Sequence, residues 1–187
     1  MTTTEVRPGW ERAINNVVAW GLKHWLLFAN LVVLVYGGIP WLAPLAHSAG
    51  YTTLGNLLFA IYTPLCHQKA SQSFFLNGYQ VAFCQRETMM YTAMFVGGSL
   101  FALVRRYVRP IPIKFGALLL LPMLFDGGSQ LIDDLAGGVL LRGANDDIGS
   151  FNFWMRMLTG LLFAIAMVLT VYPRLERDLR NAQIATA

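Results

Sequence analysis

Two cysteines, a histidine and a glutamate carry the most specific chemistry in this sequence. Cys66 and His67 are adjacent, Cys84 follows after a polar stretch, and Glu87 lies three positions beyond Cys84. Thiolate, imidazole and carboxylate groups all bind zinc and other transition metals. Residues three positions apart lie on one face of a helix, so Cys84 and Glu87 can reach the same ion. A metal site formed by Cys66, His67, Cys84 and Glu87 is therefore one of the candidates.

The same cysteines can instead form a disulfide. Both lie in the polar segment 66–87, and cysteines outside the cytoplasm are usually oxidised. A bridge between Cys66 and Cys84 would stabilise this loop by restricting the unfolded chain. Unpaired thiols are a third alternative, and residue chemistry alone leaves all three open.

Asp126 and Arg156 are charged residues placed next to apolar runs. Gln130 lies one helical turn after Asp126, and Asn152 and Thr159 lie on the same side of a helix as Arg156. An ionisable residue at membrane depth is expensive unless it is paired. We therefore expect Asp126 to pair with Arg156. Such a pair either joins two helices or belongs to a functional site.

The composition is that of an integral membrane protein. Hydrophobic residues make up 56% of the chain, charged residues only 13%, and the mean hydropathy is +0.50. A soluble fold of this size could not bury so much apolar surface, so the lipid bilayer is the expected partner. No helix-turn-helix, zinc-finger or RNA-binding motif indicates nucleic acid, and no Walker loop, G-x-S-x-G or H-E-x-x-H motif indicates an enzyme.

Four apolar segments that are long enough to cross a bilayer must position the polar residues. They are residues 25–45, 88–104, 113–130 and 152–172. We expect Pro173 to end the last of them. Residues 52–65 are apolar but short, which is typical of a re-entrant or interfacial helix. The predicted fold is an all-α polytopic transmembrane bundle of four spans plus this short helix, or of five spans if it crosses.

Three regions follow from this pattern. Residues 1–24 form an N-terminal segment with an amphipathic helix, which either lies on the membrane surface or is a solvated lead-in. Residues 25–173 form the transmembrane domain, with a cysteine loop at 66–87 and an acidic loop at 131–150. Residues 174–187 form a basic tail.

The positions of the basic residues predict the orientation. Most of them lie before the first span, between the second and third spans, or after the last. They are Arg7, Arg12 and Lys23; Arg105, Arg106, Arg109 and Lys114; and Arg174, Arg177 and Arg180. Basic loops usually remain in the cytoplasm. We therefore expect a cytoplasmic C-terminus, with the cysteine loop and the acidic loop on the extracytoplasmic face.

Four short elements resemble DUF2085, a family of prokaryotic membrane proteins of unknown function. The first two are Cys66-His67-Gln68 with Ser73-Phe74, and Cys84 with Arg86 and Tyr91. The last two are Asp126-Gly127 with Gln130, and Asn152, Arg156, Thr159 and Gly160. The resemblance covers residues 54–172, which is most of the membrane domain. It implies a prokaryotic cytoplasmic membrane and no established activity.

The chain departs from the family pattern at three positions. Gln72 replaces an arginine, Glu87 replaces a third cysteine, and Met89 replaces a glycine. Three cysteines with a histidine would resemble a zinc site. Glu87 can still supply an oxygen ligand, whereas the remaining even number of cysteines suits a disulfide.

All four elements fall on or near the predicted outer face, so their polar side chains can form one pocket. The pocket residues are His67, Gln68, Arg86, Asp126, Gln130, Asn152, Arg156 and Thr159. The function indicated is a small membrane protein whose polar site is structural or binds a metal or another ligand. One alternative is an accessory subunit of a larger membrane complex with membrane-protein partners. Another is a membrane enzyme acting on a lipid or quinone.

Overall fold

The computed structural model describes residues 9–137, 140–143 and 145–186, apart from the side chains of Arg12 and residues 183–186. Arg7 and the rest of residues 1–8 therefore lie outside the described residues, as does part of the predicted acidic loop.

Most of the described chain is helical. The helices are α1 (Gly9–Lys23), α2 (Trp25–Ser48), α3 (Thr52–Tyr62), α4 (Gln85–Val104), α5 (Ile113–Leu135), α6 (Phe151–Ala166) and α7 (Tyr172–Thr186), and the strands are β1 (Ser73–Leu76) and β2 (Tyr79–Cys84). Within the described residues, four helical segments are long and apolar enough to cross a membrane: α2, α4, α5 and the continuous segment Phe151–Ala182. The predicted helical membrane bundle is confirmed.

The short helix α3 folds back without crossing. The start of α2 and the end of α4 lie together, because Trp25 Nε1 donates to Glu176 at 2.8 Å and Arg105 Nη1 lies 3.6 Å from the same carboxylate. The end of α2 and the start of α4 therefore both lie at the other end of the bundle, and the chain between them starts and finishes there. The Tyr62 hydroxyl, at the end of α3, donates to Tyr36 O midway along α2. Helix α3 is thus re-entrant, and the topology has four spans.

The two ends of the bundle differ in chemistry. We call the end that carries Lys23, Arg105, Arg106 and Arg180 the basic end. The opposite end carries β1, β2 and residues 140–143 and 145–150, and we call it the loop end. Both predicted clusters of chemically active residues lie at the loop end.

The cysteine loop contains a packed hairpin that the sequence analysis did not predict. Strands β1 and β2 pair antiparallel around Asn77 and Gly78, which both have positive φ as a tight hairpin turn requires. Val81, Ala82 and Phe83 are buried against α2 and α3. Strand β2 runs directly into α4, so packing of the hairpin fixes where α4 begins.

The last span does not end at Pro173, contrary to the prediction. A π-helical stretch, Met167–Val171, precedes α7 and the chain remains helical. Proline cannot donate to the carbonyl four residues before it. Here that carbonyl, Leu169 O, accepts instead from Ile111 N at 3.2 Å, and Arg174 donates to Thr170 O and to Ile111 O. The predicted basic tail is therefore a helical continuation of the span.

Helix α1 carries an uncovered apolar face. Trp10, Ile14, Val17, Val18 and Trp20 are each more than half exposed. This is the pattern expected of a helix that lies on a membrane surface, the first of the two readings given for residues 10–23.

Helices α4 and α6 approach closely at Gly160. A Cβ atom at this position would lie 2.5 Å from Arg86 O and 3.1 Å from Met90 N, both of which are backbone atoms of α4. Backbone cannot move aside as a flexible side chain can. Gly160 therefore sets the distance between the two helices that carry Arg86 and Arg156.

We expect Gly160→Ala to destabilise the bundle by about 1–3 kcal/mol, because overpacking forces the helices apart. The measurement is denaturant unfolding of the detergent-solubilised protein, followed by circular dichroism. Gly38→Ala is the matched control, since a Cβ at this helical position meets no atom within 4 Å. Equal unfolding midpoints for the two variants would contradict the close-packing argument.

Candidate functional site

A buried carboxylate held by two arginines lies at the centre of the loop end. Asp126 in α5 is 6% exposed. Arg86 Nη2 from α4 lies 2.6 Å from its Oδ2, and Arg142 Nη2 from the acidic loop lies 2.9 Å from its Oδ1. The Thr159 hydroxyl of α6 lies 3.4 Å from Oδ2. Asp126 therefore joins three helices and one loop.

Arg156 has partners other than the one predicted. Its side chain is 1% exposed, and it donates from Nε to Gln85 Oε1 at 2.9 Å and from Nη1 to Asp146 Oδ1 at 2.8 Å. The expected direct pair between Asp126 and Arg156 is wrong. The acidic loop folds over α6 and supplies Asp146 as the counter-ion, while Arg86 and Arg142 engage Asp126.

Asn152 connects the two ion pairs. Its Oδ1 accepts from Arg142 Nη2 at 3.1 Å, and its Nδ2 donates to Asp146 Oδ1 at 3.2 Å. Asp133, near the end of α5, holds the loop in place, because its carboxylate accepts hydrogen bonds from the backbone N–H groups of residues 140–142. The acidic loop is thus held by its own hydrogen bonds in the position that places Arg142 and Asp146.

His67 belongs to this polar cluster. Its Nε2 lies 2.8 Å from Gln72 Oε1 and 3.0 Å from Gln130 Nε2. Arg86 Nη2 donates weakly to Gln130 Oε1 at 3.4 Å, which connects His67 to the Asp126 pair. We call the whole set the polar network. Its members are His67, Gln72, Gln85, Arg86, Asp126, Gln130, Arg142, Asp146, Asn152, Arg156 and Thr159.

Gln68 was predicted in the same pocket but lies elsewhere. Its Nε2 donates to Phe59 O at 2.9 Å and to Ala82 O at 3.0 Å, so it connects α3 to β2. Its backbone has a positive φ of 47°, which turns the chain between the two elements. Its contacts are those of a structural connection between the re-entrant helix and the hairpin.

Cys66, Cys84 and Glu87 form a second cluster, which we call the thiol–carboxylate cluster. One ligand atom from each residue lies within 4.8 Å of the others. Both cysteines are buried free thiols, and Cys84 N donates to Cys66 Sγ at 3.3 Å. His67, the fourth predicted ligand, is turned away toward Gln72 and Gln130.

Local structure explains how the cluster forms. Cys66 follows α3, and its N–H donates to Tyr62 O at 2.9 Å. Cys84 ends β2 and is the residue that precedes α4, so Glu87 lies one helical turn further on. The rings of Tyr36, Tyr62, Phe83 and Tyr91 pack together on one side of the cluster.

The two thiols differ in acidity because they interact with each other. Hydrogen bonding to Cys84, together with burial, raises the pKa of Cys66. The pKa of Cys84 is lowered, chiefly because its sulfur accepts the hydrogen bond from Cys66. Cys84 is therefore the more readily ionised thiol of the pair.

One oxygen of Glu87 is unusual. Glu87 Oε2 is buried and has no hydrogen-bond partner among the described residues. A buried carboxylate oxygen without a donor is expensive, because it has lost its water and gained nothing in return. This oxygen belongs to the side chain that shares a cluster with the two thiols.

Four residues of the polar network were not predicted from the sequence: Gln72, Gln85, Arg142 and Asp146. Arg142 had a usable signal, since it is the one basic residue in the acidic loop 131–150. Asp146 had none that separates it from Asp147, and only the fold of the loop distinguishes them.

The bundle and its two clusters define a small polytopic membrane protein with a buried polar site at one end of its spans. The chain belongs to the DUF2085 family of predicted membrane proteins, whose family model matches residues 66–170. The chain is also 28% identical to the uncharacterized protein MJ1492 of Methanocaldococcus jannaschii, over 81% of this chain and 92% of that protein. No solved structure matches the chain. The family match begins at Cys66 and includes both clusters.

Asp126→Asn should destabilise the protein by about 3–5 kcal/mol, because two buried guanidinium groups would lose their shared counter-ion. The measurement is unfolding in mild detergent. Asp134→Asn is the control, since its pair with Lys69 is 39% exposed on each side and should contribute less than about 1 kcal/mol. Equal losses of unfolding free energy in the two variants would show that the buried Asp126 contributes no more to stability than the exposed Asp134.

The Asp146–Arg156 pair predicts a dependence of stability on pH. Burial raises the pKa of Asp146, but hydrogen bonds from Arg156, Gln72 and Asn152 outweigh it and the net pKa is lowered. Because its folded-state pKa is lowered, ionised Asp146 stabilises the folded protein at pH values above its unfolded-state pKa of about 3.9. This stabilisation is lost as the pH falls through the folded-state pKa.

Asp146→Asn should therefore be less stable than the wild type at neutral pH, and the difference should shrink below about pH 4. Thermal unfolding from pH 7 to pH 3 measures this. Asp147→Asn removes an exposed neighbouring carboxylate and serves as the control. A deficit for Asp146→Asn that does not change with pH would rule out this linkage.

Proposed function

We propose that this protein binds a thiophilic divalent cation, such as zinc, through Cys66, Cys84 and Glu87. The observation that carries the proposal is the buried Glu87 Oε2, which has no partner among the described residues and lies with two thiols in one cluster. Two sulfurs and one carboxylate oxygen form a ligand set that zinc accepts. A tetrahedral ion would take its fourth ligand from outside this set.

The surroundings suit a bound ion. Cys84 N donates to Cys66 Sγ, which stabilises negative charge on that sulfur. The pKa of Cys84 is lowered, chiefly by the hydrogen bond from Cys66 and to a smaller extent by the nearby Arg86 guanidinium. The ion would connect the end of α3 with the first turn of α4, so its role would be to hold the re-entrant segment on the bundle.

A disulfide between Cys66 and Cys84 is the second candidate, favoured by the proximity of two buried sulfurs. It would use both thiols but would leave Glu87 Oε2 without a partner. The carboxylate therefore favours the metal site over the bridge.

We further infer that the loop end faces the outside of a prokaryotic membrane, because the basic residues gather at the other end. The cavity beside the polar network has a volume of 180 Å³ and is lined by residues such as Lys69, Asp133 and Arg142. It suits a small polar ligand better than a lipid or quinone, so a lipid-modifying enzyme has little support at this end.

The test is to purify the full chain in mild detergent without chelator and to measure bound metal by mass spectrometry. We expect about one thiophilic ion per chain, and loss of most of it in Cys84→Ser and in Glu87→Gln. Cobalt substitution should give the sulfur-to-cobalt absorption bands of a thiolate site.

His67→Gln is the matched control, because His67 is adjacent to Cys66 but faces Gln72 and Gln130. It should retain the metal. Thiols that react only after reduction, with no bound metal, would establish the disulfide in its place. Metal binding that survives Glu87→Gln unchanged would remove the argument from the orphaned oxygen.

A further inference from the structure

A positively charged cavity lies at the basic end, remote from both clusters. It has a volume of 260 Å³, and α1, α7 and the junctions after α1 and α4 form its walls. Its polar lining residues are Lys23, Trp25, Arg105, Arg106, Glu176 and Arg180. Four cations thus surround one carboxylate, and the cavity carries a net positive charge.

Glu176 fixes one wall of this cavity. Its carboxylate accepts from Trp25 Nε1 at 2.8 Å and from Arg180 Nη2 at 2.9 Å, and Arg105 Nη1 lies 3.6 Å away. The Glu176 side chain is only 13% exposed. The two arginines are therefore held in place around an anchored carboxylate that can neutralise only one of them.

Lys23 and Arg106 complete the cavity without an ion-pair partner in the described part of the chain. Arg106 follows the last turn of α4, where the helix dipole also attracts cations. Guanidinium and ammonium groups that converge in this way are the groups that bind phosphate, and guanidinium can do so with two parallel hydrogen bonds.

A largely apolar groove adjoins the basic cavity. It has a volume of 340 Å³, shares Lys23 and Arg105 with the cavity, and continues along α2 and α4 past Leu26, Leu27 and Ala102. Asn30 also lines the groove, and its Oδ1 is buried without a hydrogen-bond partner among the described residues. A charged cavity that shares a wall with a largely apolar groove matches a molecule with an anionic head and a hydrocarbon chain.

The depth of the cavity agrees with this chemistry. Trp25, at the start of the first span, lines it, and tryptophan side chains gather where a bilayer meets water. Helix α1 brings an exposed apolar face to the same level. By the charge rule this end faces the cytoplasm, where the leaflet contains anionic lipids.

We propose that the basic cavity binds the phosphate headgroup of an anionic phospholipid, with an acyl chain in the adjoining groove. A phospholipid headgroup and free phosphate would both present phosphate oxygens to the cavity. The lipid is the proposed occupant because the groove continues into the membrane-spanning part of the bundle. This site is independent of the metal proposed at the loop end.

The test is titration of the full chain in detergent with phosphatidylglycerol, with phosphatidylcholine of the same chains as the zwitterionic probe, read by native mass spectrometry. The double variant Lys23→Gln/Arg106→Gln removes the two unpaired cations. It should weaken binding of phosphatidylglycerol about twenty-five-fold, since each of the two cations near an anionic lipid contributes about fivefold. Phosphatidylcholine should bind weakly to both proteins.

Arg109→Gln/Lys114→Gln is the matched control, because it removes the same amount of charge from the turn between α4 and α5, at residues that do not line the cavity. It should bind phosphatidylglycerol as the wild type does. Equal losses in the two double variants would overturn the site in favour of diffuse surface charge. Full displacement of phosphatidylglycerol by millimolar inorganic phosphate would overturn the lipid as occupant in favour of free phosphate.

Discussion

The pairing of Asp126 with two arginines is the interaction on which the loop end depends. A carboxylate that is 6% exposed must have cationic partners, and its partners come from α4 and from the acidic loop. The same loop that brings Arg142 to Asp126 also brings Asp146 to Arg156 of α6. These ion pairs thus hold in place a segment whose apolar side chains Leu140, Leu141 and Ile148 remain exposed.

Arg86 connects the polar network to the thiol–carboxylate cluster. It lies between Cys84 and Glu87 in the chain, at the start of α4. Its guanidinium is fixed on Asp126, while the side chains of Cys84 and Glu87 meet Cys66. The close approach of Gly160 to Arg86 O fixes the backbone of the same turn. A displaced α4 would therefore disturb the polar network and the cluster together.

Hydropathy and charge were sufficient to predict the spans, since a bilayer requires long apolar helices of nearly any sequence. The same reasoning gave Asp126 and Arg156 as buried polar residues, because such residues are rare at membrane depth. It failed on their partners. Arg142 and Asp146 lie in a polar loop, where no periodicity indicates which side chain turns inward. A proline such as Pro173 ends a helix only where no other donor reaches the carbonyl that it leaves without a hydrogen bond. Those outcomes depend on tertiary contacts, such as Ile111 N with Leu169 O.

Charge balance relates the two clusters to each other. Arg86 and Arg142 share one carboxylate, so the centre of the polar network has one positive charge in excess. Two thiolates and the Glu87 carboxylate around a divalent ion would have one negative charge in excess. Arg86 lies one residue from Glu87 and two residues from Cys84 in the chain. An occupied metal site would therefore balance the positive charge of the polar network beside it. Two thiolates and a carboxylate without a cation would leave the same buried region strongly negative, and a low-dielectric interior disfavours such a state.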